Sequence, residues 1–449
     1  MNMNIRLIVW LLLFSHVFNS WALGGENTEQ KIQEQQITRV VFPVDSLDFA
    51  IDPDCENGIF ISPQPVAFTI RTDKPAASQS FRLICIVTTD MYLPVDSLTF
   101  TVKPDSTGMI IQPVCFVLPV AGFYRFSVYA ENEGGKSRIK NFNLGYNPEK
   151  ILSPPDMKDD FKDFWKITRA ELNRVNPRFK MTLLEDKGSE IKTMYHVEMY
   201  SLGNVKIEGY YAVPKTKEKH PAIIKYQGYG ANPRFPDPNA MPEFCEFILS
   251  VRGQGIQKPG NTYGDWIIYG LADKNDYYYR GAYMDLIRGI DFLSSRPEVD
   301  PEKIVTEGVS QGGAFALVAC ALDKRIKAAS SCMPFLSDFR DYFKICPWPR
   351  SSFEKYLKKH PSANWEEIYD VLSYFDIKNL AGQITCPVIM GVGLQDDTCP
   401  PHTNFAGYNQ IRSEKKYIVY PDRKHSVDEK WWQVREAFFR EKLGISVSN

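Results

Sequence analysis

Long apolar runs are nearly absent from this 449-residue sequence, and the one that occurs lies at the N-terminus. Beyond residue 22, no segment approaches the roughly 20 apolar residues that a membrane-spanning helix needs. Charge of one sign is not in excess either, because 53 Lys and Arg are matched by 54 Asp and Glu. No basic stripe with interleaved aromatic residues occurs. These absences exclude a membrane span beyond the N-terminal run and a nucleic-acid partner.

Closely spaced cysteines are missing as well. None of the nine cysteines forms a C-x-x-C motif, and their spacings are wide and irregular. This argues against a zinc site or a redox motif. The odd count leaves at least one thiol unpaired within the chain. We expect most of the cysteines to be buried as small apolar side chains.

The N-terminal run has the features of a secretory signal. Arg6 supplies a positive charge, Leu7 to Phe14 is apolar (LIVWLLLF), and Ser20-Trp21-Ala22 offers small residues for cleavage after Ala22. We therefore predict a signal peptide over residues 1–22 and export to the periplasm or the extracellular space. Residues 23–38 are polar and predict a flexible leader.

Residues 39–147 have the composition of a β domain. Short runs of β-branched and aromatic residues recur between turn signals, as in Phe81 to Thr88 and Phe123 to Tyr129. Glu133-Gly134-Gly135 predicts a hairpin turn. Five to seven short strands without helical periodicity favour an immunoglobulin-like sandwich. The Pro-rich segment from Gly145 to Pro155 predicts a linker.

Residues 152–449 alternate between strands and helices. The apolar pattern predicts a helix over Asp159 to Val175, then a hairpin, and then buried strands separated by helices such as Tyr278 to Ser294. This alternation favours a mostly parallel sheet flanked by helices.

Gly308-Val-Ser-Gln-Gly-Gly313 fits the G-x-S-x-G pattern of a nucleophile elbow. A predicted strand ends near Thr306, and the apolar helix Gln311 to Leu322 follows. This order of elements predicts that Ser310 stands at the carboxyl edge of the sheet, where α/β proteins place their sites. We interpret Ser310 as a nucleophile.

A serine nucleophile needs a base and an acid that orients the base. Of the six histidines, His425 follows a predicted strand and precedes the last helix, which is the position expected for the base. His402 follows two prolines, and we expect it at the surface at the start of a helix. Asp396 and Asp397 both end a buried strand, and at this point either can be the acid.

The oxyanion of the reaction intermediate needs hydrogen-bond donors. The backbone N–H of Gln311, directly after the proposed nucleophile, is one candidate. The loop Gln227-Gly-Tyr-Gly230 follows a buried strand, and from it we choose the backbone N–H of Tyr229.

Three motifs together resemble those of the carbohydrate esterase family 7, the acetyl xylan esterases and cephalosporin-C deacetylases. They are Arg252-Gly-Gln-Gly255, Gly308 to Gly313, and Gly393-Leu-Gln-Asp396 with Pro400-Pro401. The resemblance covers about residues 152–449. It implies an α/β-hydrolase fold and removal of acetyl groups from small sugars and xylan fragments, without a metal or cofactor.

The resemblance also implies individual roles. Ser310 is the nucleophile, Asp396 the acid and His425 the base, with Tyr229 and Gln311 as oxyanion donors. Arg252 and Gln254 are structural supports under the site.

This sequence departs from the family at two positions. Ser426 replaces the glutamate that usually follows the base, and Gln227 replaces a histidine in the oxyanion loop. The β domain is outside the usual core. Since family members often form hexamers, a homo-oligomer is one expectation, although the added domain could block it.

Two alternatives remain. A peptidase of the prolyl-oligopeptidase type also uses this elbow, but it carries a propeller domain for which the sequence shows no repeat. A glycan-binding protein with an inactive hydrolase domain is the other.

Since every proposed catalytic group lies after residue 220, we also expect deletion of residues 23–150 to leave hydrolysis of a small ester largely intact.

Overall fold

The computed structural model describes residues 49–72, 80–132 and 135–445. The predicted signal peptide, the predicted leader and the predicted turn residues Glu133 and Gly134 lie outside these ranges. The described residues all belong to one compact unit. Among them, no helix combines the length and the hydropathy required for a membrane crossing.

Within the residues that the structure describes, eight strands build the β domain and form two sheets, ordered β1-β3-β6 and β2-β8-β7-β4-β5. The pairing is antiparallel except between β2 and β8. The strands are β1 (Phe49–Pro53), β2 (Ile59–Phe60), β3 (Val66–Thr72), β4 (Phe81–Thr89), β5 (Pro94–Val102), β6 (Ile111–Phe116), β7 (Gly122–Asn132) and β8 (Gly135–Tyr146).

The two sheets pack face to face because alternate residues of their strands are apolar. In β3 every second side chain is buried, beginning with Val66. Phe68 of the smaller sheet meets Phe126 of the larger one edge to face, with ring centroids 5.3 Å apart. The predicted β-sandwich is confirmed.

A nine-stranded sheet forms the centre of the second domain, in the order β17-β16-β15-β14-β12-β13-β11-β10-β9. The strands from β12 to β17 are parallel to one another, and β9, β10 and β11 extend the sheet beyond β13 with antiparallel pairing. The strands are β9 (Lys180–Leu183), β10 (Lys192–Ser201), β11 (Val205–Pro214), β12 (His220–Tyr226), β13 (Cys245–Ser250), β14 (Val299–Val309), β15 (Ile326–Cys332), β16 (Val388–Gly393) and β17 (Lys415–Tyr420).

Helices flank this sheet, as the sequence predicts. Their bounds are α1 (Phe161–Arg174), α2 (Tyr278–Ser294), α3 (Gln311–Leu322), α4 (Phe339–Ile345), α5 (Pro347–Lys359), α6 (Trp365–Leu372), α7 (Ile377–Leu380), α8 (Pro401–Gln410) and α9 (Lys430–Lys442). The apolar helix α3 is buried along nearly its whole length. The short helices α4 to α7, between β15 and β16, are not anticipated by the sequence pattern.

The nine cysteines are all free thiols, and seven of them are buried, as expected of small apolar side chains. Cys55 is half-buried and Cys115 is exposed.

Apolar side chains from both domains form one shared cluster at the end of the nine-stranded sheet. Ile59 and Phe123 come from the β domain, and Leu394 and Phe405 come from the second domain. The rings of Phe123 and Phe405 lie 5.6 Å apart. The β domain therefore packs directly against β16 and α8.

Candidate active site

Ser310 lies on the sharp turn between β14 and α3. Its backbone has φ 61° and ψ −123°, a conformation that a residue with a side chain rarely adopts. Hydrogen bonds hold this geometry, since Ser310 N–H donates to Cys332 O at 2.9 Å and Phe335 N–H donates to Ser310 O at 3.2 Å. This is the strand-turn-helix geometry of a nucleophile elbow.

The glycines on either side of Ser310 are required by space. A Cβ on Gly308 would lie 2.2 Å from the carbonyl carbon of Gly312. A Cβ on Gly312 would lie 2.1 Å from the carbonyl oxygen of Tyr226. Both contacts involve backbone atoms, which cannot move aside as a flexible side chain can. The turn can therefore be this tight only with glycine at both positions.

His425 and Asp396 form a close pair beside the elbow. Nδ1 of His425 lies 2.7 Å from Oδ2 of Asp396, whose side chain is fully buried. The other carboxylate oxygen, Oδ1, accepts the backbone N–H groups of Thr398 at 2.8 Å and Cys399 at 3.0 Å. One oxygen thus anchors the carboxylate to its own loop, and the other faces the imidazole.

The neighbouring carboxylate takes no part in this pair. The side chain of Asp397 is 65% exposed, and its charged neighbour is Lys424, 3.7 Å away. Asp422, which lies close to His425 in sequence, is also exposed. The structure thus brings Asp396, and neither of the other two carboxylates, to His425.

Ser310 and His425 line one cavity of about 690 Å³. The loop after β12, with Gly228 and Tyr229, forms part of the same wall. Gln311, the first residue of α3, follows Ser310 directly. The structure therefore gathers around one cavity the segments from which the sequence predicts the nucleophile, the base and the oxyanion donors.

Gln254 connects the two segments that carry the predicted donors. Its Oε1 accepts Gly230 N–H at 2.9 Å and the side-chain amide of Gln311 at 3.1 Å. Its Nε2 donates to the hydroxyl of Tyr278 at 2.9 Å. A single buried amide thus links the loop after β12 to the start of α3, and the role of Gln254 as a structural support stays a prediction.

Arg252 is held by a buried ion pair. Its Nη2 lies 2.7 Å from Oδ1 of Asp285, and its Nε and backbone N–H donate to Oδ2. Burial disfavours the charged guanidinium, but Asp285 outweighs burial and raises the pKa of Arg252. The arginine stays charged and anchors the segment that carries Gln254.

Three tryptophans without any local sequence signal line the cavity, and Trp431 among them is fully buried. Trp348 and Trp432 are 37% and 44% exposed, although both are large and apolar. The Trp348 ring lies 5.5 Å from that of Tyr229, whose hydroxyl donates to Asp265 at 2.8 Å. The sequence could not indicate this placement, because Trp348 comes from α5, far along the chain from the elbow.

Arg234 also lines the cavity and is exposed. It lies in the irregular segment that follows the loop after β12. No sequence motif marks this arginine either.

His402 lies at the start of α8 as expected, but the expected surface position is wrong. His402 is buried, and its Nδ1 lies 2.9 Å from Oδ2 of Asp90 in the β domain, while its Nε2 lies 3.4 Å from Oδ2 of Asp341. Burial alone would lower the pKa of His402, but Asp90, Asp341 and Asp338 outweigh it and raise that pKa to about 10. The acidic partners are distant in sequence, so the local pattern around the prolines could not reveal them.

His402, Asp338 and Asp341 offer atoms within 4.8 Å of one another, close enough to hold a metal ion. Side-chain charges already occupy this cluster, however. Lys378 Nζ lies 3.1 Å from Asp338, and Asp90 takes Nδ1 of His402. We therefore describe it as an ion-pair cluster.

An α/β hydrolase with a serine at its nucleophile elbow is the class of enzyme that this fold and this site define. Within that class, the chain belongs to the acetyl xylan esterase (AXE1) family, whose model matches residues 146–443. It is a carboxylic ester hydrolase, and the resemblance noted from the sequence motifs is confirmed. The β domain precedes the matched residues.

Individual relatives agree with this assignment. The acetyl esterase Axe7A of Xylanibacter ruminicola is 25% identical over 316 residues, which cover 67% of this chain and 70% of that protein. The crystal structure of acetyl xylan esterase 1 from Thermoanaerobacterium sp. is 30% identical and superposes with a TM-score of 0.60, covering 65% of this chain and 95% of that one. The acetyl xylan esterase from Paenibacillus sp. is 31% identical with a TM-score of 0.62, covering 66% and 98%.

Proposed function

We propose that this enzyme removes acetyl groups from acetylated carbohydrates through an acetyl-enzyme formed on Ser310. The observation that carries the proposal is the placement of Ser310, on its positive-φ backbone, in one cavity with His425, whose Nδ1 is bound by the buried Asp396. This is the arrangement of a serine triad, in which each group has one task.

In the first half of the reaction, Ser310 Oγ attacks the acetyl carbonyl carbon while Nε2 of His425 takes its proton. The backbone N–H groups of Tyr229 and Gln311 donate to the oxyanion of the tetrahedral intermediate. The proton on His425 then passes to the sugar oxygen as the ester C–O bond breaks. The sugar leaves as an alcohol, and the acetyl group remains on Ser310.

In the second half, water attacks the acetyl-serine, and His425 again takes the proton. Collapse of the second intermediate returns this proton to Ser310 and releases acetate. Asp396 holds the imidazole in the tautomer that presents Nε2 to the serine, and it stabilises the imidazolium that forms. No step requires a metal or a cofactor.

The wall of the cavity supports a carbohydrate as the alcohol part of the ester. Trp348 and Trp432 are partly exposed and line the same cavity as Ser310, and aromatic rings provide flat apolar contact for a sugar ring. Xylan fragments and small acetylated sugars are the proposed substrates. Peptidase and glycan-binding functions gain no support from any observation at this site.

The experiment that tests the function is acetate release by the purified full chain. Acetylated xylan oligomers, acetylated monosaccharides and a cephalosporin are compared as substrates. Ser310→Ala is the inactive reference, and Ser362→Ala, at an exposed serine that does not line the cavity, is the matched control. Release by the wild type and the control but not by Ser310→Ala supports the proposal. No release from any acetylated substrate would refute it.

We further propose that residues 1–22 direct export, so that the enzyme meets its substrates in the periplasm or outside the cell. The support is the sequence pattern of a basic residue, the apolar run Leu7 to Phe14 and the small residues around Ala22. N-terminal sequencing of the secreted enzyme tests this. A mature chain that begins after Ala22 is the expected result, and retention of residues 1–22 in a cytoplasmic enzyme would contradict it.

A further inference from the structure

We propose that the β domain positions Asp396, the acid of the triad. Its residues Asn143 and Asp90 act as positioning residues, because they hold the loop that carries Asp396. The inference rests on the proposed function, because it assumes that Asp396 is the acid. It also replaces the expectation from the sequence that the β domain is dispensable for hydrolysis of a small ester.

The contact nearest the acid is made by Gln395, the residue directly before Asp396. Its Oε1 accepts the backbone N–H of Asn143 at 2.8 Å, and its Nε2 donates to Asn143 O at 3.1 Å. The same Nε2 donates to Pro421 O at 2.8 Å, in the loop that leads to His425. One side-chain amide thus ties β8 of the β domain to the acid loop and to the base loop.

The side chain of Asn143 adds another bond to the same place. Its Nδ2 donates to Leu394 O at 3.2 Å. The backbone of the acid loop is itself joined to the base loop, since Gln395 N–H donates to Arg423 O at 2.9 Å. A displacement of β8 would therefore reach the acid loop and the base loop together.

A second attachment lies at the far end of the acid loop. Asp90, in the turn between β4 and β5, lies 2.9 Å from Nδ1 of His402, the second residue of α8. Arg125 donates through Nε to Asp90 O at 3.1 Å, which holds this turn in place. The segment from Leu394 to His402 is therefore fixed to the β domain at both of its ends.

Close packing fills the space between the two attachments. Gly58 of the β domain approaches Leu394 so closely that a Cβ on this glycine would lie 2.5 Å from Leu394 Cδ2. Phe123 and Phe405 pack in the shared apolar cluster beneath. This packing limits how far the loop can shift relative to the β domain.

Adjacent residues that leave a strand point in different directions, which explains why Gln395 and Asp396 have different partners. Gln395 points to the β domain, and Asp396 points to His425. A loop freed from the β domain would let the carboxylate drift from the imidazole, and a displacement of about 1 Å in such a site can cost about a hundredfold in rate. The loss would fall on kcat, because neither Gln395 nor Asn143 lines the cavity.

The first test is Gln395→Leu in the full chain, which keeps the approximate shape and removes the amide. We expect kcat for p-nitrophenyl acetate to fall by about ten- to a hundredfold, with KM changed by less than about twofold. The matched control is Gln112→Leu on β6, where the amide bonds locally to Pro113 O. An unchanged kcat in a folded Gln395→Leu variant would overturn the proposal.

The second test asks whether the loss acts through Asp396. Gln395→Leu is combined with Asp396→Asn, and the effects on kcat are compared in a double-mutant cycle. If the amide positions the acid, Gln395→Leu has little further effect once the carboxylate is gone. If it only supports the fold, the two losses multiply, and the proposal fails. Failure of the function itself would appear separately, as full activity in Ser310→Ala.

If Gln395→Leu does not fold, Asp90→Asn replaces it as the test of the proposal. It is likewise combined with Asp396→Asn in a double-mutant cycle. It preserves the shape of the side chain and removes the charge that faces His402. We expect a smaller loss of kcat, about three- to tenfold, because the attachment near Gln395 remains. An unchanged kcat would then overturn the proposal.

Discussion

Oδ2 of Asp396 lies 2.7 Å from Nδ1 of His425, while the next side chain along the backbone, that of Asp397, is 65% exposed. The two carboxylates differ by one position in sequence and share the same loop. Only one of them can hold the imidazole, because successive residues leave the strand in different directions.

We predict that Asp396→Asn loses at least about a hundredfold in kcat, since an amide no longer fixes the productive tautomer of the imidazole. The same substitution in the triad of a serine protease costs about 10⁴ in kcat. Asp397→Asn should stay within about tenfold of wild type. Steady-state kinetics on variants with matched circular dichroism make the comparison, and greater damage in Asp397→Asn would show that Asp396 is not the acid.

Replacing Ser310 tests the nucleophile. Ser310→Ala should fold normally and lose about 10⁶ in kcat, as seen when a comparable triad loses its serine. Esterase assays on purified protein check this, with calorimetry confirming the fold. Activity within about tenfold of wild type would refute the assignment.

The close packing around the elbow glycines predicts that substituting them lowers the free energy of unfolding. Gly312→Ala should lower the free energy of unfolding by about 1–3 kcal/mol or more, because the new Cβ would overlap the Tyr226 carbonyl and the backbone must shift. Gly260→Ala is the matched control, since nothing lies within 4 Å of a Cβ at that position. Urea denaturation measures both, and equal stabilities would contradict the packing described.

The raised pKa of the buried His402 predicts how the free energy of unfolding depends on pH. In the unfolded chain its pKa is close to 6.5, and in the folded protein it is about 10, so the folded state binds the proton more tightly. The stability that this pairing contributes is fully present below about pH 6.5 and is lost as the pH rises to about 10.

We therefore expect the unfolding free energy to decrease between about pH 6.5 and 10 more steeply in the wild type than in His402→Gln. Chemical denaturation at several pH values measures the difference. His360→Gln, at an exposed histidine, should follow the wild type. Parallel curves for wild type and His402→Gln would show that this histidine is not held protonated.

Trp348 tests the carbohydrate contact. Trp348→Ala should raise KM for acetylated xylan oligomers by about three- to tenfold, because the sugar loses an apolar ring face. Hydrolysis of p-nitrophenyl acetate, which has no sugar, should change far less and serves as the internal reference. An equal loss on both substrates would mean that Trp348 supports the site and does not contact the sugar.

The parts of the site that the sequence could predict are those encoded by local patterns. The elbow at Ser310 combines a short motif with a preceding strand and a following apolar helix, and the observed bounds of α2 and α3 agree with the prediction. The order of Ser310, Asp396 and His425 along the chain follows from the order of the strands. Such features depend on residues close in sequence.

The parts that could not be predicted depend on residues far apart in the chain. The burial of His402 requires Asp90, which lies more than 300 positions earlier. Trp348 of α5 lines the same cavity as Ser310, to which it has no link in the local sequence. Gln395 follows a strand in the motif Gly-Leu-Gln-Asp, but nothing in that motif indicates that its amide meets the backbone of Asn143.

The apolar cluster that contains Ile59, Phe123, Leu394 and Phe405 belongs to neither domain alone. If the β domain were to unfold by itself, it would expose the other half of this cluster to water, which costs about 25 cal/mol for each Å² of apolar surface. We therefore expect partial unfolding to be penalised and the two domains to unfold together. Such an enzyme would resist proteolysis at the junction between its domains, because the cleavable state would require both domains to open.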